Sequence, residues 1–410
     1  MRRRKKSAPV RKRCHGGKFK IMYFDFRTFL RLACLSFLNN RKEILPPLTA
    51  KRVVFLIVFF TIFPVIQLFN AFCFLLDDIF FPEYRDMEIK APVFIVGNPR
   101  SGTTFIHRLM SMDEEHFFFF KSWEIMFPAI IQKKALSVIG DIDRLLGGMF
   151  SSRVKRFESR RFHNFNKMHQ TGLFLPEEDD KLLMHIFSSF DLVWFFPFKE
   201  VDCFSRFDQL VGPRERKRIM TFYKNCIKRQ AYFKGGNRHY LSKTPYSSLK
   251  IDSLYEYFPG CKVIYMARNP LEVIPSMINM AHEIWRATID IKVKYPLQDI
   301  IYETAKLYYN YPLARLGRAP QSSYEIINYK DLISAPGRAI QTVYRKAGLE
   351  IAPKYQKILN EEEKKSATYN SRHSYSLDQF RITREQIISD LQDIFDRFGF
   401  DTQESAKKVN

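Results

Sequence analysis

The pattern of hydrophobic and polar positions divides the chain near residue 80. Residues 53–76 form a long apolar segment without one charged side chain. At about 1.5 Å per residue, a helix over this segment is long enough to cross the hydrocarbon core of a bilayer. Upstream, residues 24–35 interleave aromatic and basic side chains, as an interfacial helix does. We therefore predict that the N-terminal part of the chain is attached to a membrane.

Three residues inside the apolar segment leave its membrane topology open. Pro64, Gln67 and Asn70 interrupt the apolar pattern near its middle and towards its end. A crossing helix, a helix bent back within one leaflet and a hairpin that never crosses all accommodate such a break. A buried core helix is the remaining alternative, although core helices of this length and apolarity are uncommon.

After residue 90 the pattern changes to short apolar runs, each followed by a loop and a helical spacing. Residues 93–96 and 261–266 are typical of strands buried on both faces of a parallel sheet. The first run leads through a glycine loop, residues 97–102, into a helix predicted from residue 103. The second leads into a helix predicted over residues 271–280. This alternation predicts an α/β fold with a parallel sheet flanked by helices.

The charge of the chain is concentrated at its start. Of 66 lysines and arginines, which give the chain a net charge of +23, sixteen lie in residues 1–52, beside only Asp25 and Glu43. A basic arm next to a membrane-like segment is attracted to anionic lipid headgroups, and the positive-inside rule places it in the cytosol. We therefore expect a membrane rather than a nucleic acid as its partner.

The cysteines and asparagines bear on the compartment. Six cysteines lie far apart, without a CxxC pair or a histidine at metal-ligand spacing, and no asparagine opens a glycosylation sequon. Neither a zinc site nor a disulfide framework is indicated. These features favour a cytosolic soluble part, whereas a single crossing would place it in a Golgi-type lumen.

Two loops carry candidate chemistry. Gly97 and Gly102 keep the spacing of a phosphate-binding loop, but Thr103 stands where a nucleoside triphosphatase has its lysine. Arg100 inside this loop offers a planar guanidinium to a tetrahedral oxyanion. Arg268 follows the second predicted strand, and Ser276 lies on the next helix. Two anion sites at the ends of two parallel strands indicate a nucleotide with phosphates at two positions.

The two loops resemble the donor-binding motifs of sulfotransferases. Residues 92–104 (PVFIVGNPRSGTT) resemble the 5′-phosphosulfate loop, and residues 262–277 (KVIYMARNPLEVIPSM) resemble the 3′-phosphate motif. Residues 241–245 resemble the Lys-x-Pro segment, and residues 328–332 the later Tyr-x-Asp-Leu segment. The resemblance covers most of residues 90–350 and is nearest to the membrane-adjacent subgroup that acts on lipid or other small acceptors.

The resemblance implies a P-loop-NTPase-like parallel sheet with helical insertions, and 3′-phosphoadenosine-5′-phosphosulfate as the donor, without a metal. The residues that would hold the 5′-phosphosulfate are Arg100, Ser101, Gly102, Thr103 and Thr104. Arg268 and Ser276 would hold the 3′-phosphate, and Arg372, in a segment that resembles a subgroup loop, would close over the donor. Asn269 and Tyr246 depart from the family, which usually has Asp and often His at these positions.

The acceptor hydroxyl must lose a proton, so a carboxylate or histidine is required near it. Glu124 follows the predicted second strand, residues 117–120, and resembles in position the catalytic base of protein-tyrosine sulfotransferases. His169 is the second candidate, because histidine suits proton transfer near neutral pH. A helix-capping glutamate and a structural histidine are the respective alternatives. The acidic residues 177–180 are predicted to begin a helix rather than to bind a metal.

The sequence thus predicts a membrane-associated sulfotransferase that acts on a lipid-like or small-molecule hydroxyl. Residues 1–50 form a basic arm with an amphipathic helix, residues 51–80 a membrane-associated helix and residues 90–400 the catalytic domain. A P-loop kinase and a non-enzymatic membrane scaffold are the alternatives. The acceptor and the oligomeric state stay open.

Overall fold

The computed structural model describes residues 23–37, 47–149, 151–153, 156, 172–289, 294–295, 297–367 and 377–402. Within these ranges one sheet contains five parallel strands in the order β2-β3-β1-β4-β5. The strands are β1 (Val93–Gly97), β2 (Phe117–Phe118), β3 (His239–Lys243), β4 (Lys262–Ala267) and β5 (Tyr324–Asn328). Helices flank this sheet, which confirms the predicted α/β class.

The α-helices precede, connect and follow the strands. In chain order they are α1 (Phe26–Phe37), α2 (Ala50–Phe80), α3 (Thr103–Ser111), α4 (Ser122–Met126), α5 (Ile130–Leu145), α6 (Asp202–Ser205), α7 (Phe207–Leu210), α8 (Pro213–Lys234), α9 (Ile251–Tyr257), α10 (Pro270–Ile289), α11 (Gln298–Leu316), α12 (Tyr329–Ser334), α13 (Pro336–Ala347), α14 (Pro353–Ala367), α15 (Arg384–Asp390) and α16 (Gln392–Phe398). The 3₁₀ helices lie at Pro82–Asp86, Asp179–Ile186, Phe190–Trp194, Lys199–Val201, Pro245–Leu249, Gln321–Ser323 and Leu377–Gln379.

The central strands coincide with the apolar runs of the sequence. Residues 93–96 of β1 are fully buried, and β1 pairs with β4 over its whole length. The second strand is shorter than predicted and ends at Phe118, because the next two carbonyls have other partners. Gln230 donates to the carbonyl of Phe119 at 2.9 Å, and the N–H of Glu177 donates to that of Phe120 at 3.0 Å.

Strand β3 was not predicted, because polar residues interrupt its apolar pattern. Ser242 and Lys243 are nevertheless buried within it. Ile95 of β1 is the register partner of Lys243. The end of β3 therefore lies beside the loop that follows β1.

Helix α2 is one continuous helix of 31 residues that passes through Pro64, so the hairpin alternative is wrong. By length and composition it could cross a membrane, and among the described helices it alone meets that test. One face packs on the domain through residues such as Leu56 and Cys73, whereas Leu68 and Phe72 on the other face are exposed. A fully buried core helix is therefore wrong as well.

Candidate active site

The loop after β1 is tightly packed at both of its glycines. Gly97 has φ 143° and Gly102 has φ 92°, values that L side chains rarely adopt. A Cβ on Gly97 would lie 2.7 Å from the carbonyl oxygen of Met266, and one on Gly102 would lie 2.6 Å from the ring of Tyr329. Neither position has room for a side chain. The loop backbone is thereby held close to β4 and α12.

Hydrogen bonds fix the loop further. Ser101 Oγ donates to the carbonyl of Asn98 at 2.6 Å, and the N–H of Gly97 donates to Ser248 Oγ at 2.8 Å. Helix α3 then begins at Thr103, directly after Gly102. The unpaired N–H groups of a helix's first turn and its dipole form an anion site. The glycine loop and the helix that the predicted cradle requires are thus both present, and the helix has nine residues.

The structure brings the predicted donor residues of the two loops together. Arg100 Nε donates to Ser276 Oγ at 3.1 Å, and Arg268 Nη1 donates to the carbonyl of Arg100 at 2.8 Å. The guanidinium of Arg268 stacks over the Tyr329 ring at 4.0 Å and pairs with Glu272 at 2.6 Å. Two arginines and a serine, distant in sequence, therefore share one edge of the sheet.

A buried ion pair lies on the other side of the same loop. Lys243 Nζ is 2.7 Å from Glu178 Oε1 and 3.4 Å from Thr104 Oγ1. The Lys243 side chain is 1% exposed and that of Glu178 is 14% exposed. Because Thr104 is the second residue of α3, this pair places a carboxylate and an ammonium beside the anion cradle.

Glu178 is held in place by its neighbour Asp179. The Asp179 carboxylate accepts hydrogen bonds from Tyr223, Tyr240, Ser242 at 2.9 Å and Thr244 at 2.7 Å. The hydroxyls of residues 240–244 come from β3 and the turn after it, so Asp179 fastens the acidic segment to that strand. The predicted helix start at these acids is confirmed, although the helix is 3₁₀ and begins at Asp179.

Two further titratable groups lie in this region. Burial raises the pKa of Asp191 to about 7, an effect that the charge of Lys181 opposes. Burial also lowers the pKa of His107, on α3, to about 3, assisted by the charge of Lys243. At neutral pH His107 is therefore uncharged, and Asp191 is poised between its two protonation states.

Glu124 lies in a more enclosed environment than predicted for a base in contact with substrate. Its side chain is fully buried, and Oε2 accepts from the N–H of Lys121 at 2.7 Å and from Gln230 at 2.8 Å. Lys234 Nζ lies 2.6 Å from Oε1. The carboxylate thus caps α4 and pairs with a lysine of α8. His169 and Arg372 lie outside the described residues.

The sequence did not predict that Glu178 and Lys243 form an ion pair. Lys243 was noted as part of a motif and Glu178 as part of an acidic run, but 65 positions separate them. Their contact depends on the hydrogen bonds by which Asp179 binds the acidic segment to β3, which local patterns do not reveal. Among the described residues, no group of His, Cys, Asp and Glu could hold a metal ion.

Comparisons with known proteins show what the chain is similar to. The sequence model of the sulfotransferase family matches residues 92–353. The omega-hydroxy-beta-dihydromenaquinone-9 sulfotransferase Stf3 of Mycobacterium bovis and that of Mycobacterium tuberculosis are each 28% identical over 334 residues. The matched region is 77% of this chain and 77% of each relative.

Solved structures show the same fold. Sulfotransferase STF9 from Mycobacterium avium has a TM-score of 0.68 at 14% identity, with 94% of this chain and 99% of that chain covered. Sulfotransferase STF1 from Mycobacterium tuberculosis has a TM-score of 0.66 at 18% identity, with 92% and 93% covered. The similarity therefore extends over almost the whole of each structure.

Proposed function

The chain belongs to the sulfotransferase family, and from this premise we propose that it transfers a sulfuryl group from 3′-phosphoadenosine-5′-phosphosulfate to the hydroxyl of a lipid-like acceptor. One observation carries the donor assignment. Arg100, Ser276 and Arg268 are joined by contacts of 3.1 and 2.8 Å at the ends of β1 and β4. This arrangement offers two cationic side chains to a nucleotide with anionic groups at two positions.

The charges and hydrogen-bonding groups of these residues support the donor assignment. In the first loop, Arg100, Ser101, Gly102, Thr103 and Thr104 would hold the 5′-phosphosulfate with backbone N–H groups, hydroxyls and one guanidinium. Arg268 and Ser276 would hold the 3′-phosphate. When bound, the donor supplies the sulfuryl group, and the protein's own groups orient it and balance its charge. Arg372 stays a candidate for closing over it.

Aromatic side chains near Glu178 support a lipid-like acceptor. Phe190 packs on Tyr246 at 4.4 Å between ring centroids, and Trp194 packs on Trp285 at 5.8 Å. Aromatic side chains with a few polar groups are typical of small-molecule pockets. The Stf3 relatives are named for a menaquinone derivative, which is a lipid with a hydroxyl group. Glu124 and His169 stay candidates for the proton acceptor.

Equilibrium binding tests the donor assignment. We expect 3′-phosphoadenosine-5′-phosphate to bind the purified protein at least tenfold more tightly than ATP. A preference for ATP would support a kinase, and binding of neither nucleotide would support a scaffold. Transfer of ³⁵S from the labelled donor to a lipid extract, to decan-1-ol and to 4-nitrophenol then tests the reaction. Transfer to none of them would contradict the proposed function.

We also propose that the enzyme is attached to a membrane through α2 and that its catalytic domain faces the cytosol. The polar residues of α2 support attachment without a crossing. Asn70 contacts His185 at 3.2 Å and accepts from Gln132 at 2.8 Å, and His185 also contacts Gln67 at 3.0 Å. The polar break in the sequence is therefore occupied by contacts with the catalytic domain.

Both ends of α2 are bound to the domain as well. In its first turn, Arg52 donates to the carbonyl of Phe195 at 2.6 Å. In its last turn, Asp77 accepts from Arg229 at 3.0 Å and from the N–H of Ile130 at 2.8 Å. A helix held along its length by one domain keeps both ends on the same side of a bilayer. Its exposed face would then lie in a single leaflet.

Flotation with vesicles tests this attachment. A carboxylate in a leaflet is unfavourable, so Leu68→Asp, at a position 71% exposed, should reduce flotation with vesicles containing anionic lipid. Leu210→Asp is the matched control, because Leu210 is 53% exposed outside α2. With Cys14, Cys34 and the partly exposed Cys203 replaced by serine, an impermeant maleimide should label both Lys51→Cys and Phe80→Cys from outside. Labelling of only one would indicate a crossing.

A further inference from the structure

We propose that Glu178 accepts the proton of the acceptor hydroxyl, at the place where the ion pair with Lys243 meets the first turn of α3. This inference rests on the proposed sulfuryl transfer and adds to it a residue with a chemical role. The contacts of Lys243 with Glu178 and with Thr104 support this role. Lys243 Nζ joins Glu178 Oε1 at 2.7 Å to Thr104 Oγ1 at 3.4 Å, so the carboxylate is one ammonium group away from the proposed 5′-phosphosulfate loop.

The exposure of Glu178 suits a base that meets a substrate. Its side chain is 14% exposed, so it is mostly desolvated and still accessible. The side chain of Glu124 is 0% exposed, and its oxygens already contact Lys121, Gln230 and Lys234. An acceptor hydroxyl could reach Glu124 only after those contacts were broken. Part of the Glu178 side chain, by contrast, already reaches solvent.

The position of Glu178 is fixed by the fold. The adjacent Asp179 accepts four hydroxyl hydrogen bonds, three of them from Tyr240, Ser242 and Thr244. Lys243 belongs to the same segment as these three donors. The backbone of residues 178–179 and the ammonium that Glu178 pairs with are therefore set by one strand, as a positioned base requires.

Charged and titratable groups face Glu178 from every side. They are Lys243 of β3, His107 of α3, Tyr308 of α11, Tyr246 of the Pro245–Leu249 helix, Glu177, Asp191 and Lys181. The two lysines attract the charge of a Glu178 carboxylate, whereas Glu177 and Asp191 repel it. The tyrosines are buried, and burial holds the pKa of each well above its ordinary value, so at neutral pH both stay protonated and cannot accept a proton.

The step balances with the named donor. The acceptor O–H bond breaks, and its proton passes to a Glu178 carboxylate oxygen. The acceptor oxygen uses the released electron pair to form a bond to sulfur. The bond between sulfur and the bridging phosphate oxygen breaks, and its electron pair leaves with 3′-phosphoadenosine-5′-phosphate. The Lys243 ammonium lies beside the transferred charge throughout.

Acceptors of different acidity test this role. Glu178→Gln should lower turnover roughly 10²- to 10⁴-fold with decan-1-ol, or with the lipid hydroxyl that the wild-type enzyme sulfates, which is the usual cost of losing a general base. With 4-nitrophenol, which ionises near neutral pH and needs no base, the loss should be under about tenfold. Binding of 3′-phosphoadenosine-5′-phosphate should be unchanged or tighter.

Two controls separate this role from a structural one. Glu177→Gln changes the adjacent buried glutamate, which pairs with Lys181 at 3.2 Å, and should retain turnover. Equal losses with both acceptors would show that Glu178 only positions Lys243 and would overturn the proposal. A larger loss in Glu124→Gln with Glu178→Gln active would also overturn it. If the wild-type enzyme sulfates no hydroxyl, the proposed function fails instead.

Discussion

The two sides of the loop after β1 differ in how far their charged side chains are exposed to solvent. On the side of β4, the site consists of backbone, two glycines and side chains that solvent reaches, such as Arg268 at 20% exposure. On the side of β3, it consists of buried charges with fixed partners, such as Lys243 at 1%. An accessible cationic surface binds an anion with little reorganisation, whereas a buried ion pair holds one carboxylate in one position. The first side therefore suits donor binding and the second suits proton transfer.

A large loss of turnover is expected when the charge of the buried Lys243 ammonium is removed. Lys243→Met keeps approximately the length of the side chain but removes its charge, which breaks the ion pair with Glu178 and removes one of the cations near the transferred group. Turnover should fall about 10²- to 10³-fold, as when one charge-stabilising donor is removed from an active site. Steady-state kinetics measure this, and a loss below fivefold would contradict the importance of the pair.

The next effect is expected at Asp179, which binds the acidic residues 177–180 to β3. Asp179→Asn replaces an acceptor of four hydroxyls with an amide that can accept at only one of its two atoms. The free energy of unfolding should fall by roughly 3 kcal/mol, because buried donors lose a charged acceptor. Chemical denaturation measures the change. Asp86→Asn, at an exposed position, is the control and should be neutral.

On the β3 side, Asp191 should make the free energy of unfolding depend on pH. Burial raises the pKa of Asp191 to about 7, so between about pH 4 and pH 7 the folded state binds a proton that the unfolded state has lost. This group therefore lowers stability as the pH rises through that window. Asp191→Asn should gain stability relative to wild type from pH 5 to pH 8, by roughly 2 to 3 kcal/mol. A constant difference between the two proteins would contradict the assignment.

A smaller effect is expected on the donor side. Arg268→Ala should weaken binding of 3′-phosphoadenosine-5′-phosphate by about 1.5 to 3 kcal/mol, the contribution of a charge-assisted hydrogen bond. Adenosine 5′-phosphosulfate, which lacks the 3′-phosphate, should be affected much less. Glu272→Gln, which frees Arg268 from its ion pair, is the control and should not weaken binding. Equal losses for both nucleotides would contradict the 3′-phosphate assignment.

The same contrast explains what could be predicted from the sequence. Gly97, Gly102 and Arg100 are close in sequence, so the cradle is a local motif, and β1 and β4 are apolar runs that indicate buried strands. Strand β3 escaped prediction because Lys243 and Ser242 are polar, and their burial depends on Glu178 and Asp179 far along the chain. Local patterns identify local structures, whereas pairs of buried charges form only when the sheet is assembled.

Helix α2 shows the same limit of prediction from local sequence. The length and apolarity of α2 were evident from its sequence. Gln67 and Asn70 were correctly seen as a polar break, but their partner His185 lies more than a hundred residues away, so the reason for the break could not be predicted. Which apolar residues of α2 are exposed could not be predicted either, because buried Leu56 and exposed Leu68 are the same residue type.

The central claim is that the β4 side of the loop binds the donor and the β3 side transfers the proton. Measuring donor affinity and turnover in the same two variants tests this claim most directly. Arg268→Ala should weaken binding of 3′-phosphoadenosine-5′-phosphate by about tenfold or more and leave turnover at saturating donor within about tenfold of wild type. Glu178→Gln should leave that affinity intact and lower turnover to a hydroxyl of low acidity roughly 10²-fold or more. If both variants lose affinity and turnover together, the two sides do not have separate roles and the account is contradicted.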